Sequence, residues 1–521
     1  MEYSLAKVLP KIQPHTRKYN FFLPILIGFS LRLINLNMPV LGVHSWRQAD
    51  TAAMARHFAI NNTPIWLPQI DWGGATDGLV EAEFPIYSYL LAKFYQYIGI
   101  NEWIGRGLSA VFSSLTIALI IKICTKLLDE KSAWWGGLFF AICPIGVYYG
   151  RTVQAESLLL LLGALSIKSM MDWKSNKSFL RLIVSWVAYT LACLIKVLPL
   201  AWLGLPILII FIGSGDYSRK LDLTHIIILI KGMLRKIGPW LYLLGSLLMV
   251  LFWYSYSYNL GKVNGLSFGF WGESSDRSSL KLLIDAGIWS NLILRVTLRN
   301  LSIFGLPLLI IGIIKSFKTE GGKILFSGLT GVFICTLFAL RASATHEYYQ
   351  LPLQLFFCPL MGKGFAEFLN LTQSSLKHWN LIIISLLITT SLIILSLDYW
   401  SLEQRQNRVW MPLAKEIRAK VPENNLIISV TGADPTLLNL ARRQGWILSV
   451  KDVTKQYLQL LSEQGAKYIV GSLNWEETHI PLNEKKIKKD IEELLCINNG
   501  QANCIESNNL TYIFNLKEVL Q

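Results

Sequence analysis

Long apolar runs separated by short basic connections are the feature that most restricts how this chain can fold. Of its 521 residues, 52% are hydrophobic and only 16% are charged, and the mean hydropathy is +0.41. A soluble protein of this length carries about 25% charged residues to cover its surface. The pattern therefore predicts a membrane protein with many spans. It excludes a cytosolic enzyme, a secreted disulfide scaffold and a nucleic-acid-binding domain.

The apolar runs can be divided into candidate spans, because one helical crossing of a bilayer takes about 20 mainly apolar residues. This division predicts about eleven transmembrane helices, with ten to thirteen compatible with the pattern. The predicted spans cover residues 20–38, 106–123, 132–149, 153–171, 179–196, 198–213, 239–257, 301–315, 324–342, 352–369 and 380–398.

The orientation follows from where the basic residues lie, since cytoplasmic loops are enriched in Lys and Arg. The formal net charge is +15. The first apolar run is interrupted by Arg32 and has no small-residue cleavage site, so we expect an uncleaved span with a cytoplasmic N-terminus. The basic residues assigned to the cytoplasmic side are Lys7, Lys11, Arg17, Lys18, Lys122, Lys126, Lys131, Lys168, Lys174, Lys177, Arg181, Arg219, Lys220, Lys231, Arg235, Lys236, Lys315, Lys318, Lys323, Lys363 and Lys377.

This topology predicts three parts: a cytoplasmic N-terminus (1–19), an all-α polytopic membrane domain (20–400) and a small extracytoplasmic α/β domain (401–521). In the last part the pattern indicates strands at 425–430 and 466–471 and helices at 435–443 and 454–465. Cys496 and Cys504 would be able to pair in an oxidising compartment. The other five cysteines fall in or beside apolar runs and are expected to behave as small hydrophobes.

The membrane domain contains an unusually long first outer loop, residues 39–105, and loops of this length are usually functional or folded. Ser45 followed by Gln48 resembles a capping box and predicts a helix from Trp46 to about Ile60. Helical spacing places Arg47, Asp50, Met54 and His57 on one face. The residues equally allow an exposed surface helix with an ordinary Arg–Asp pair.

Five acidic residues lie between positions 50 and 83 of this loop, among aromatic residues. They are Asp50, Asp71, Asp77, Glu81 and Glu83. Rings that stack on a pyranose and carboxylates that bind hydroxyls are typical of sugar-binding surfaces. Solvated loops are also often acidic, so this feature alone leaves both interpretations open.

Three further polar clusters lie at predicted outer membrane boundaries. Ionisable groups at such depths are costly, and they are therefore candidates for function. Anchoring at the interface by tyrosines and by snorkelling basic side chains is the alternative explanation. The clusters contain Tyr148, Tyr149, Arg151 and Glu156; Lys196; and Arg341, His346, Glu347, Tyr348, Tyr349 and Gln350.

Taken together, these strings resemble the GT-C superfamily of integral membrane glycosyltransferases. The likeness is greatest to bacterial members related to protein O-mannosyltransferases, aminoarabinose transferases and rhizobial galacturonosyltransferases, and it covers residues 20–400. Here Asp50 is followed by Thr51, where many relatives have a second acid, and Ala155 stands where proline is common. The strings are Trp46–Thr51 (WRQADT), Glu83–Pro85 (EFP), Gly150–Glu156 (GRTVQAE) and His346–Tyr349 (HEYY).

The resemblance implies an inverting glycosyltransferase that uses a polyprenyl-phosphate-linked sugar on the extracytoplasmic face. Asp50 would be the general base that deprotonates an acceptor hydroxyl on a lipid, glycan or protein. A divalent metal is compatible with such a site, but the resemblance assigns no ligands to it. The residues expected to bind substrate are Arg47, Glu81, Glu83, Arg151, Glu156, Lys196, Arg341, His346, Tyr348 and Tyr349.

A transporter or flippase of lipid-linked sugars is the alternative function, since it would share the spans, the basic boundary residues and the aromatics. Transporters usually place their key ionisable groups near the bilayer midplane and often show internal repeats. Here the notable groups gather on one side, which favours the enzyme. We expect membrane lipids as further partners, no nucleic acid, and a bacterial plasma membrane as the location.

Overall fold

A computed structural model describes residues 19–212, 237–268, 279–371, 377–472 and 511–520. The basic residues at positions 7–18 and 219–236, together with Cys496 and Cys504, lie outside these ranges. Helices make up most of the described chain. Up to residue 400 the α-helices are Phe22–Leu33, Ser45–Asn61, Ile86–Ile98, Glu102–Leu127, Glu130–Ile142, Pro144–Tyr149, Glu156–Asn176, Phe179–Ile195, Pro199–Trp202, Gly204–Ile212, Ile237–Asn264, Leu280–Leu283, Ala286–Arg295, Gly305–Ser316, Glu320–Phe338, Leu340–Thr345, Gln354–Leu371 and Lys377–Ile394.

Every predicted span contains helix, but several of these helices are short or broken. Within the described ranges, four helices are long and apolar enough to cross a membrane, and a bent pair would make a fifth. That pair, Ala286–Asn300 and Gly305–Ser316, turns by 93° between its halves. Three shorter apolar helices are also present. The apolar helical character is therefore confirmed, whereas the count of about eleven crossings stays a prediction.

Glycines allow two helices of the apolar part to approach each other closely. A Cβ on Gly312 would lie 1.8 Å from the carbonyl oxygen of Leu360, and one on Gly364 would lie 1.9 Å from that of Leu308. Small residues at helix interfaces let backbones approach in this way. Helices Gly305–Ser316 and Gln354–Leu371 consequently pack backbone against backbone.

We predict that Gly312→Ala destabilises the protein by about 1–3 kcal/mol, because the added methyl group must push the two helices apart. Gly107→Ala is the matched control, since a Cβ at Gly107 meets no atom within 4 Å. It should be neutral or slightly stabilising, because alanine favours helix. Thermal unfolding in detergent measures both, and equal midpoints for the two variants would refute this packing.

Arg32, which interrupts the first apolar run, has a structural role. Its guanidinium donates to the carbonyl oxygens of Gly28, Phe140, Ala141 and Gly146 at 2.9–3.4 Å and to Ser113 Oγ at 2.6 Å. Phe140 and Ala141 lie in the last turn of helix Glu130–Ile142, where carbonyl groups lack intrahelical partners. Arg32 thus caps a helix end inside the protein.

The first outer loop contains the predicted helix, here called the loop helix, at Ser45–Asn61. Its predicted bounds are confirmed, but the capping box is wrong. The N-cap is His44, in the left-handed region with φ 54°, and no side chain caps the helix. The Gln48 side chain instead donates to the Leu41 carbonyl and accepts from the Val153 N–H. The Gln48 side chain therefore bonds to a distant segment of the chain and does not take part in a capping box.

Beyond residue 400 the chain forms helices and a small sheet. This part is called the tail. A continuous helical stretch, His378–Lys420, leads into it from the apolar part; its last section is called the tail helix, Ser401–Lys420. The strands and α-helices that follow are β1 Leu426–Val430, Thr436–Ala441, β2 Gly445–Ile447, Lys455–Glu463, β3 Ala466–Ser472, β4 Thr511–Asn515 and Leu516–Leu520. The strands form one sheet in the order β2-β1-β3-β4 and are parallel except for β4.

These elements agree with the strands and helices predicted between 425 and 471 to within two residues at each end. The tail packs on the first outer loop. Arg56 of the loop helix donates to both the backbone and the side-chain oxygen of Asn439. The tail therefore lies against the loop that carries Asp50.

The five cysteines of the apolar part are free and buried, as expected.

Candidate active site

An open cleft of about 450 Å³ lies between the loop helix and the segment 82–88 that follows it in the chain. It contains three of the predicted site residues, Arg47, Asp50 and Glu83, together with apolar and hydroxyl groups. The full lining is Arg47, Asp50, Thr51, Met54, Ala82, Glu83, Phe84, Pro85, Tyr87, Ser88, Ala155 and Phe268.

The segment that forms the opposite wall of the cleft is fixed by a neighbouring helix. Ser257 bonds to both the N–H and the carbonyl oxygen of Ala82 at 2.8 Å, and the Trp253 indole donates to the same carbonyl. Phe84 N–H donates to the Leu194 carbonyl at 3.1 Å. Glu83 thereby lies on a backbone segment that hydrogen bonds on both sides of it hold in place.

Asp50 is the buried acid of the cleft, with 5% of its surface exposed. Its Oδ1 accepts a hydrogen bond from the Trp72 indole at 3.0 Å. Burial raises the pKa of Asp50 well above the usual value, and this effect outweighs the opposing hydrogen bond. A carboxylate with a raised pKa is a stronger base near neutral pH, which suits proton abstraction from a hydroxyl.

A chain of alternating charges crosses from this cleft to a second cavity. Arg47 donates to Glu83, and its Nε lies 3.8 Å from Glu156 Oε1. Lys196 Nζ lies 2.7 Å from the same Glu156 oxygen. The partly buried Arg47 and the buried Lys196 are therefore each held by a carboxylate, as removal of a charge from water requires. The charged side chains contact one another in the order Glu83, Arg47, Glu156 and Lys196.

The second cavity, of about 310 Å³, is mostly apolar and has Glu156 and Lys196 on its wall. Lys196 Nζ lies 4.4 Å from the centre of the Tyr348 ring and 4.9 Å from that of Tyr349. The other lining residues are Leu159, Leu160, Leu198, Pro199, Trp202, Leu351 and Pro352. An ammonium group at the wall of an apolar groove suits a ligand with an anionic head and a hydrocarbon tail.

His346 belongs to an aromatic cluster beside these charges. Its ring stacks on Tyr348 at a centroid distance of 5.5 Å and also contacts the rings of His44 and Trp46. Burial lowers the pKa of His346 to about 4, with nearby Arg47 and Lys196 acting in the same direction. Its imidazole is thus neutral at physiological pH and can donate or accept a hydrogen bond.

Three predicted residues lie elsewhere. Arg151 is fully buried and donates to Glu403 of the tail helix at 2.6 Å, so it is engaged in an internal ion pair. Glu81 is buried beside the extended segment 266–268 and accepts from Ser267. Arg341 is exposed on the short helix Leu340–Thr345. The structure thus places Arg151 in an internal ion pair, and its expected contact with substrate stays a prediction.

His57 faces the same turn as Asp50, because it bonds to Asp71, the neighbour of the Trp72 that donates to Asp50. It does not line the cleft: its Nε2 lies 2.9 Å from Asp71 Oδ1, and Arg56 donates to both oxygens of that carboxylate. Although burial opposes it, Arg56 lowers the pKa of Asp71 to about 2. This cluster fixes the turn that carries Trp72.

Several charged residues near the site were missed by sequence reasoning. Arg299 pairs with the buried Glu347 and with Asp398 at 3.1 Å, and Arg295 donates to the Ala344 carbonyl. The sequence offered a signal for Glu347, because this residue belongs to the string HEYY. It offered none for Arg295 and Arg299, which lie beside no motif. Among the described residues, no three His, Cys, Asp or Glu side chains converge as a possible metal site.

Comparison with known proteins gives a family match over part of the chain and matches to solved structures. Residues 82–255 match the family described as dolichyl-phosphate-mannose-protein mannosyltransferase. No curated protein sequence matches significantly.

The structural matches cover most of the chain. The oligosaccharyltransferase AglB of Archaeoglobus fulgidus, in complex with an inhibitory peptide and a dolichol-phosphate, has a TM-score of 0.56 at 10% identity, over 88% of this chain and 70% of AglB. ArnT of Cupriavidus metallidurans, bound to undecaprenyl phosphate, has a TM-score of 0.50 at 16% identity, over 87% and 92%. Both are GT-C superfamily glycosyltransferases. The resemblance indicated by the motifs is therefore confirmed at the level of fold.

Proposed function

Because this chain has the GT-C fold, we propose that it is an inverting glycosyltransferase that uses a polyprenyl-phosphate-linked sugar. The observation that carries the proposal is one buried acid, Asp50, in an open cleft that is joined by charged side chains to an apolar groove. The dolichol-phosphate bound to AglB and the undecaprenyl phosphate bound to ArnT support a carrier of this class.

The reaction assigned to the cleft is a single displacement. The oxygen of an acceptor hydroxyl attacks the anomeric carbon, and Asp50 takes the hydroxyl proton. The bond between that carbon and the phosphate oxygen breaks, and polyprenyl phosphate leaves with the electron pair. Attack from the side opposite the leaving group inverts the anomeric configuration. Asp50 must then lie within about 3 Å of the hydroxyl, or one water away.

The leaving phosphate needs cations that stabilise its developing charge. We assign this role to Arg47 and Lys196, which are already held by Glu83 and Glu156. The apolar groove beside Lys196 would take the prenyl chain, with Leu159, Leu198 and Trp202 on its wall. Tyr348, Tyr349 and the neutral His346 would contact the phosphate or the sugar. Arg151, Glu81 and Arg341 are not included in this set.

The proposal includes the orientation inferred from the basic loops. The N-terminus lies in the cytoplasm, the chain crosses a bacterial plasma membrane about eleven times, and the cleft faces the extracytoplasmic side. Residues 401–521 form a small α/β domain on that same side. Lipid-linked donors are used there because nucleotide sugars are confined to the cytoplasm. The acceptor is a lipid, a glycan or a protein.

The experiment that tests this function supplies purified protein with a pool of polyprenyl-phosphate sugars and separate lipid, glycan and peptide acceptors. Mass spectrometry follows free polyprenyl phosphate and the glycosylated acceptor. The proposal predicts that both products appear together in equal amounts. Donor that stays intact with every acceptor would contradict it.

Lys196→Gln is predicted to lower kcat/KM for the donor by about 10- to 100-fold, because a charge-assisted contact with phosphate contributes about 1.5–3 kcal/mol. The variant also leaves Glu156 with Arg47 as its remaining cation. Lys93→Gln is the control, since Lys93 is an exposed lysine of the first loop that bonds to Gln96. Equal values of kcat/KM for the two variants would contradict a role of Lys196 in donor binding.

A further inference from the structure

The turn 71–74 of the first outer loop joins the tail to the cleft. Gly74 N–H donates to the Gly445 carbonyl at 2.7 Å, and Gly445 N–H donates to the Asp71 carbonyl at 2.9 Å. Gly445 begins β2, the edge strand of the tail sheet. The turn therefore pairs with an edge that would otherwise present free backbone groups.

Gly74 is required by this contact, and Gly445 by the close approach of the neighbouring strand β1. Gly74 has φ +64°, and a Cβ there would lie 2.5 Å from the indole ring of Trp446. Gly445 has φ +155°, and its Cβ would lie 1.8 Å from the Ile427 carbonyl oxygen. The Trp446 ring thus lies directly on the backbone of the turn, where a side chain on Gly74 would displace it.

Trp72, between these two backbone bonds, connects the tail to Asp50. Its ring packs against a buried cluster made mostly of tail residues, and the centre of the Phe268 ring lies 6.4 Å from that of Trp72. Its indole N–H is the one side-chain hydrogen-bond donor to Asp50 within the described ranges. The position of the acid in the cleft therefore depends on a ring that the tail holds in place.

We propose that Trp72 is a positioning residue for the base Asp50, and that the β2 edge of the tail, through Gly445 and Trp446, holds Trp72 in place. The inference rests on the proposed function, because it assigns Asp50 the role of base. It gives the tail a part in the reaction, through the orientation and proton affinity of one carboxylate, without requiring that the tail touch the substrate.

Charges from three elements face Asp50. Arg47, on the loop helix itself, and the Trp72 N–H stabilise the carboxylate, whereas Asp71 of the turn and Asp434 of the tail oppose its ionisation. Asp434 also lies near the start of the loop helix, 3.4 Å from Ser45 Oγ. Loss of the indole N–H should therefore raise the pKa of Asp50 further, and loss of the Asp434 charge should lower it.

The test is the pH dependence of sugar transfer by the full-length protein, together with an infrared titration of the carboxyl band that Asp50→Asn abolishes. Trp72→Phe keeps a ring but removes the donor. It should move the acidic limb of the transfer profile upward by about one to two pH units, the range expected for a hydrogen bond to a charged group. Asp434→Asn should move the limb slightly downward.

Trp446→Ala tests the contribution of the tail, because it removes the ring that rests on Gly74 while leaving Trp72 intact. An upward shift like that of Trp72→Phe, of smaller size, supports the proposal. An unchanged profile in both Trp72→Phe and Trp446→Ala overturns it, and a shift in Trp72→Phe alone overturns the role of the tail.

The infrared titration separates this proposal from the assigned function. If wild type transfers no sugar but the Asp50 band still titrates higher in Trp72→Phe, the glycosyltransferase assignment fails and the control of Asp50 by Trp72 stands. If the band titrates identically in wild type and Trp72→Phe, the positioning role is refuted whatever the activity.

Discussion

Asp50→Asn is expected to lower the rate of sugar transfer by a factor of about 10² to 10⁴, the usual contribution of a general base. The substitution is nearly isosteric, and the asparagine carbonyl can still accept the Trp72 hydrogen bond. It removes the group that takes the proton while leaving the cleft unchanged. The measurement is the single-turnover rate with saturating lipid-linked donor.

The same variant should be at least as stable as wild type. Burial raises the pKa of Asp50 in the folded state, so the unfolded chain ionises first as the pH rises. The contribution of the Asp50 carboxyl group to the free energy of unfolding is fully present below the unfolded-state pKa of about 3.9, and it is lost as the pH rises towards the folded-state pKa. Asparagine does not ionise, so the variant does not lose this contribution at neutral pH. Lower activity with equal or greater stability is the signature of a functional residue.

Asp77→Asn is the control, because Asp77 is an exposed acid of the same loop and lies outside the cleft. It should transfer sugar at the wild-type rate. The assignment of Asp50 would be contradicted if both variants were equally active, or if Asp50→Asn lost activity only through unfolding.

The second large effect is expected at Glu403. This carboxylate has no solvent exposure, and it accepts from Arg151 at 2.6 Å and from Arg106 at 3.3 Å. Asn35 donates to it as well, at 3.4 Å. Removing one partner from a buried ion cluster leaves uncompensated charge, which costs about 3–5 kcal/mol. Glu403→Gln should lower the free energy of unfolding by that amount.

Glu416→Gln provides the comparison within the same tail helix. Glu416 is exposed and pairs with Lys420 at 2.6 Å, and such surface pairs contribute about 0–1 kcal/mol. Unfolding in detergent, followed by circular dichroism, gives both values. If the two variants have the same free energy of unfolding, the buried cluster does not hold the tail helix to the membrane part.

Much of the fold was predictable because its signals are local. Apolar runs predict membrane helices, and the strand–helix pattern of 425–471 is visible in a few residues at a time. The count of crossings is less accessible, since breaks such as the 93° bend before Gly305 depend on packing between distant helices. The loop helix shows this difference: its bounds could be predicted from the local residue pattern, whereas its N-cap could not.

The candidate site also combines local and long-range signals. Asp50, Arg47 and Glu83, which the structure brings into one cleft, were noted because they belong to short motifs in an unusually long loop. The pairing of Arg151 with Glu403 spans 252 positions and leaves no periodic trace in the sequence. Trp72 was noted only as part of an acidic, aromatic stretch. Its contact with Asp50 depends on a turn that the tail fixes from more than 370 positions away.

A glycosyltransferase breaks the bond between sugar and polyprenyl phosphate, whereas a transporter leaves that bond intact. The two functions are distinguished by placing the purified protein in sealed vesicles that carry donor labelled in the sugar, with acceptor outside. We expect the label to move to the acceptor and free polyprenyl phosphate to accumulate, in wild type and not in Asp50→Asn. Label that crosses the bilayer still attached to its lipid, with no transfer, would contradict the glycosyltransferase function and identify a transporter.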